Sequence, residues 1–304
     1  MEIFRQMLTL QSQLILLILV GVSVKKLGII DEKGRKMLSN LLINLILPCN
    51  IISSFQSGVT MSGELMKNCV LSVVFCALLQ VSVMAANRFL FRRFPENQRA
   101  PLSYGLICSN CSFVGLPVLD TLYGSLGVIY GSIYQIPMRF TMWSTGVSLY
   151  TQKKEKGAYL KILIHPCIVA VYIGMVLMVL PIALPGFVND SISSLSRCTM
   201  PMSMVVIGSI LADADVKTIF SWPIAYYIFL RLIAVPLLVY AVITPLPVDR
   251  LVRAVCVIMA GMPAGSTTSI LADQYGRDSL FASQLVFAST VVSMITMPLL
   301  CLLL

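Results

Sequence analysis

The stretch Tyr104–Gly124, YGLICSNCSFVGLPVLDTLYG, is apolar enough to lie in a membrane, yet it carries groups that an unbroken membrane helix avoids. Ser109, Asn110, Ser112, Gly115, Pro117 and Asp120 all fall inside it. A proline within a helix removes a backbone donor and clashes with the preceding turn. A helix entering near Leu102 is therefore expected to unwind around Gly115-Leu116-Pro117 and restart beyond it. A second stretch, Val255–Gly276, VCVIMAGMPAGSTTSILADQYG, repeats the glycine-x-proline break at Gly261-Met262-Pro263 and continues with Gly265, Ser266, Thr267, Thr268 and Ser269. Two interrupted apolar segments at matching places in two halves are the pattern of a secondary transporter whose site lies where the broken helices meet.

Composition sets the same frame. Of 304 residues, 58 % are hydrophobic and 12 % charged, and the mean hydropathy of +0.89 is too high for one water-soluble core. About ten spans of about 20 residues fit, leaving short loops and no room for a soluble domain. The net charge of +9 does not point to nucleic acid, because the basic residues cluster in loops between apolar runs. Nine cysteines are scattered through apolar segments without zinc-site spacing. The single CxxC, Cys108 to Cys111, reads as small-residue packing, so no metal and no cofactor is expected.

The expected spans are Leu8–Val24, Met37–Phe55, Asn68–Ala86, the broken fourth span, and Val128–Tyr150, which contains Gln135, Pro137 and Arg139. A basic loop, 151–161, follows. The pattern then resumes with Ile162–Leu184, Leu195–Leu211, Phe220–Val242, Leu251–Ala272, which is the broken ninth span, and Leu280–Leu303. Pro48, in LPCN of the second span, has a counterpart in Pro201 of the seventh. Since five is odd, two five-span halves, 1–150 and 162–304, must insert in opposite orientations as an inverted repeat. Charge agrees with that topology. Lys25, Lys26, Lys33, Arg35, Lys36, Arg88, Arg92, Arg93, Arg99, Lys153, Lys154, Lys156, Lys161, Lys217 and Arg277 fall on one side, against Arg5, Lys67, Arg197, Arg250 and Arg253 on the other. The richer side is the cytoplasm, which puts both termini outside.

In a bilayer a freed backbone group needs a partner, so each break must be buried in protein or line an aqueous cavity. Two breaks from inverted halves would cross near the midplane, and the half-helices restarting there would aim their N-terminal dipoles and unpaired amides at one volume. That favours an anion, with a carboxylate the natural candidate. Asn110 can donate to it; its alternative is an interhelical hydrogen bond. Arg139, costly inside a span, either neutralises the anion or pairs with Asp120. Arg231 is expected to be structural or snorkelling. The candidate binding set is Ser109, Asn110, Ser112, Gly115, Pro117, Gln135, Arg139, Gly261, Pro263, Gly265, Ser266 and Thr267. Asp120, the one acid well inside a span, is the candidate for proton coupling.

An intramembrane enzyme is the competing class. With one histidine, His165, placed at the membrane edge, an HExxH site is excluded and a serine-histidine dyad is disfavoured. An aspartyl dyad fails because Asp273 should lie near the opposite surface from Asp120. A sensor or structural subunit would not need two broken helices.

The residues NCSFVGLP, Asn110 to Pro117, together with GMPAG at Gly261–Gly265, Ala272, Tyr275-Gly276 and LPCN at Leu47–Asn50, resemble the auxin efflux carrier superfamily. That superfamily includes plant carriers and bacterial malonate-type and malate-type permeases. The resemblance spans the chain. It implies an all-α integral membrane fold of ten helices as two inverted five-helix repeats, with helices four and nine broken and crossing. Spans one, two, six and seven would form a scaffold and a homodimer contact, while spans three to five and eight to ten would carry the substrate in an elevator-like motion. His165-Pro166-Cys167 replaces the family's asparagine-proline, and the loop after span five is short, so auxin is not the expected substrate. The reading is a bacterial plasma-membrane carrier for a small organic anion; the alternative is a sodium-coupled symporter similar to the bile-acid family.

Overall fold

The computed structural model describes residues 2–56, 62–150, 164, 166–180, 184–213, 219 and 221–304. The expected loop 151–161, His165, Lys217 and the side chains of Arg5 and Asp273 lie outside them. Every named element is helical. In chain order they are α1 (Glu2–Lys26), α2 (Glu32–Leu41), α3 (Leu47–Phe55), α4 (Gly63–Leu90), α5 (Glu96–Ile107), α6 (Leu116–Thr141), α7 (Val147–Tyr150) and α8 (Pro166–Val179). They continue with α9 (Gly186–Arg197), α10 (Thr199–Leu211), α11 (Trp222–Ile228), α12 (Val235–Ile243), α13 (Arg250–Ala260), α14 (Thr267–Gln274) and α15 (Ser279–Cys301).

Five of the described helical runs are long and apolar enough to cross a bilayer: Glu32–Ser53, Gly63–Leu90, Gly186–Leu211, Trp222–Ile243 and Ser279–Cys301. Large apolar side chains such as Leu16, Leu19, Leu78, Leu238 and Ile295 are exposed on the outer faces, as expected of helices solvated by lipid. Among the described residues, four helix starts are capped from the side chain. Asp31 accepts from Gly34 N at 2.6 Å, Ser62 from Leu65 N at 3.0 Å, Asp249 from Leu251 N at 2.9 Å and Asp278 from Phe281 N at 2.9 Å. Each satisfies an amide that the first turn leaves without a helical partner.

Three prolines inside apolar runs share one local solution. A wide, π-helical turn precedes Pro48 (Leu42–Ile46), Pro117 (Cys111–Gly115) and Pro236 (Phe229–Ala234). In each turn an amide bonds the carbonyl five residues back: Leu47 to Leu42, Leu116 to Cys111 and Val235 to Leu230. The slack takes up the proline ring without ending the helix. The expectation that the chain unwinds at Gly115-Leu116-Pro117 is therefore corrected: Pro117 lies in continuous helix. The chain opens earlier, at Cys108–Asn110. The stretches expected as spans four and five are separated at Gly124, whose φ of 58° and ψ of −152° break the helix inside α6 in a conformation that glycine adopts without steric cost. The helical run expected as Leu195–Leu211 starts earlier, at Gly186, because the serine-rich α9, which hydropathy does not mark, leads into α10 across Cys198.

α1 runs along α10 at backbone contact. A Cβ on Gly21 would meet the backbone of Val205, and one on Gly208 the backbone of Ile18, the close approach that small residues permit between membrane helices. The buried apolar residues form two clusters. One contains Cys111, Val114, Met259 and Met262, and the other contains Cys108, Ile107, Ala264 and Leu271. Each broken segment thus passes from one cluster to the other at its break.

Candidate functional site

α5 ends at Ile107, and Cys108 is extended, with φ −111° and ψ 96°. The second segment leaves α13 at Ala260 and becomes helical again at Thr267. Between those ends the two breaks pair as a minimal antiparallel bridge, Ser109 opposite Ala264. Asn110 N donates to Pro263 O at 2.8 Å and Gly265 N to Cys108 O at 3.1 Å. Backbone groups freed by one break are thus satisfied by the other.

The incoming helix ends are closed by Arg231, which is 2 % exposed. Its Nε donates to Met262 O at 2.9 Å and its Nη1 to Leu106 O at 3.0 Å. Gln80 Nε2 donates to Ile107 O at 3.3 Å. A buried cation at two helix C-termini is held by their carbonyls and dipoles. Arg231 is structural, and it does not snorkel. A lone arginine in an apolar run was its only sequence signal; the partners come from both halves of the chain and could not be read locally.

On the other side of the crossing, two helices begin, one at Cys111 and one at Thr267. A small cavity of about 50 Å³ sits there, lined by Ile43, Leu47, Ser109, Asn110, Ser112, Met138, Arg139, Met142, Gly265, Ser266 and Thr267. Arg139 is 5 % exposed and Asn110 3 %. Arg139 Nη2 donates to Ser112 Oγ at 3.0 Å, Ser112 Oγ donates to Gln135 Oε1 at 2.6 Å, and Gln135 Nε2 donates to Gly131 O at 3.1 Å. This chain fixes the guanidinium from behind. Two donors remain without a partner, Asn110 Nδ2 and Arg139 Nε. Tyr104 supports the second helix start, its hydroxyl donating to Thr267 Oγ1 at 3.2 Å.

Of the residues expected at the site, Ser109, Asn110, Ser112, Arg139, Gly265, Ser266 and Thr267 meet around this cavity. Gln135 lies behind Ser112, and Pro263 contributes its carbonyl to the crossing. Gly115, Pro117 and Gly261 do not line it. Gly115 is packed where a Cβ would sit 2.7 Å from Met259 Sδ, and Gly261 where one would sit 2.8 Å from Leu300 Cδ2. Asp120 is exposed on α6 and away from the lining, and among the described residues no ion pair joins it to Arg139. Ile43 and Leu47 were not expected; the wide turn before Pro48 brings them to the cavity.

The sequence profile of the family described as membrane transport protein matches residues 7–301. The chain belongs to that family. It is 22 % identical over 293 residues to an uncharacterized transporter of Methanocaldococcus jannaschii, covering 94 % of each chain. It is 26 % identical over 300 residues to an uncharacterized transporter of Methanothermobacter thermautotrophicus, again covering 94 % of each. The family is that of the auxin efflux carriers, in line with the resemblance carried by Asn110–Pro117 and Gly261–Gly265. The protein is a multi-pass membrane transporter and not an enzyme.

Proposed function

We propose that this transporter carries a small organic anion, a carboxylate of the malonate or malate kind, bound at the crossing between the starts of the helices at Cys111 and Thr267. The observation that carries the reading is the pair of buried donors left without partners on residues lining one cavity, Asn110 Nδ2 and Arg139 Nε. A buried donor with no acceptor costs about 1–3 kcal/mol, and more when charged. A carboxylate would accept from both and return that energy. Seven of its expected neighbours are polar or glycine, and Ile43, Leu47, Met138 and Met142 close the apolar side. At about 50 Å³ the space suits a carboxylate head and falls far short of the roughly 300–1,000 Å³ typical of drug-sized ligands.

In this reading 1–150 and 162–304 are inverted five-span repeats, with 151–161 a cytoplasmic loop and both termini outside. The scaffold is α1 to α3 with α8 to α10, which also forms a homodimer contact, and the remaining helices move the site across the membrane. A larger cleft of about 460 Å³, lined by Arg35, Lys36, Ser39, Asn40 and Asp213 on one side and Ser269, Ser279 and Ser283 on the other, supports access beside α14. Uptake of small mono- and dicarboxylates into proteoliposomes, with and without sodium, tests the proposal. Saturable uptake that persists in potassium and is weakened in Asn110→Ala is expected. Uptake that requires sodium would favour a symporter similar to the bile-acid family, and uptake indifferent to Asn110→Ala would move the site elsewhere.

A further inference from the structure

A second groove, distinct from the cavity at the crossing, lies between the end of α4, α5 and α7, with a volume of about 730 Å³. Its two ends differ in chemistry. Val81, Met84 and Leu149 line the apolar end, and Arg88, Arg92 and Arg99 the other. Val81 and Arg88 lie on the same face of α4, about 10 Å apart along its axis at 1.5 Å per residue. α4 ends at Leu90, so the arginines sit where the helix leaves hydrocarbon and Val81 sits within it. Arg99 holds the intervening turn, its Nη2 donating to Arg92 O at 3.0 Å and to Phe94 O at 3.3 Å. That places Arg92 beside the end of α4.

Among the described residues, no aspartate or glutamate lines the groove. Among the described residues, none of the ion pairs involves Arg88, Arg92 or Arg99. Three guanidiniums at the membrane interface, above an apolar channel that faces lipid, match one class of ligand: an anion with a hydrocarbon tail. Arginine forks fit phosphate oxygens bidentately, and basic pockets between helices at this depth take anionic headgroups. We propose that this groove binds an anionic phospholipid, its phosphate on Arg88 and Arg92 and the start of its acyl chains on Val81, Met84 and Leu149. The groove reaches Ile107 at the end of α5 but shares no lining residue with the cavity at the crossing, and the proposal does not depend on what that cavity carries.

Native mass spectrometry of the full chain in detergent, titrated with phosphatidylglycerol and with phosphatidylcholine, tests it. The wild type should retain phosphatidylglycerol preferentially, and Arg88→Gln/Arg92→Gln should weaken that binding about thirtyfold, at about fivefold for each arginine near an anionic headgroup. Arg88→Gln alone should weaken it about fivefold, which decides the matter if the double variant does not fold. Lys67→Gln, at the other end of α4, should leave the preference unchanged. Equal retention of the two lipids, or a preference that survives Arg88→Gln/Arg92→Gln, would overturn the proposal. So would a loss of the same size in Lys67→Gln, which would reflect overall charge. Displacement of the lipid by millimolar inorganic phosphate would show a free-anion site and also overturn it.

Discussion

The two breaks are paired to each other yet built from different material. At the second, the proline lies in the break itself: Gly261, Met262 and Pro263 follow α13, and the contribution to the site is mostly backbone and small residues, Gly265, Ser266 and Thr267. At the first, the proline lies beyond the break, in continuous helix, and the contribution is side chains, Ser109, Asn110 and Ser112, with Arg139 behind them. The difference teaches that proline does not by itself decide where a membrane helix opens. A freed backbone group must find a partner. At Cys108–Asn110 that partner is the other break, through Pro263 O and Gly265 N; at Pro117 the wide turn makes opening unnecessary.

The supports are unequal in the same way. Arg231 reaches a carbonyl of each segment, whereas Gln80 reaches only Ile107 O. The largest effect should therefore come from Arg231→Leu, which strands Leu106 O and Met262 O. At about 1–3 kcal/mol for each buried unsatisfied group, the detergent-solubilised protein should melt several degrees lower and lose substrate binding with it. A wild-type Tm would show that the crossing holds without Arg231. Arg139→Gln comes next and should act on affinity alone. Removing one member of a buried charge pair costs about 2 kcal/mol or more, at least about thirtyfold in Kd by calorimetry, with Tm unchanged. Asn110→Ala removes one hydrogen bond to a charged group, worth about 1.5–3 kcal/mol, or roughly ten- to a hundredfold in Kd.

The smallest effect separates the breaks most sharply. Pro117→Ala should change Tm and Kd very little, because the helix is already continuous there. Abolished binding in this variant would return the first break to Gly115-Leu116-Pro117. Asp120→Asn should likewise leave the pH profile of uptake unchanged, since Asp120 stands apart from the lining; a flattened profile would restore it as the coupling group.

What could be read in the sequence followed the range of the interactions involved. The all-helical membrane character of the chain and the second break were legible from hydropathy and from Gly261-Met262-Pro263. So was the division at Gly124, where only local conformation counts. Asn110, Ser112 and Arg139 could be named because polar groups in an apolar run are conspicuous. The first break was misplaced by several residues because its position is set by pairing with Ala264, across more than half the chain. Hydropathy passed over the serine-rich α9, and the role of Arg231 depends on carbonyls that no local pattern reveals.

In the proposed function Arg139, oriented by Ser112 and Gln135, holds the anion together with Asn110. The direct measurement is the affinity of the best-bound small carboxylate for wild type and Arg139→Gln, taken on samples of matched Tm. Binding that weakens by at least about thirtyfold, with no change in the affinity of a neutral isostere, is the predicted result. Equal affinity in the two proteins would contradict it.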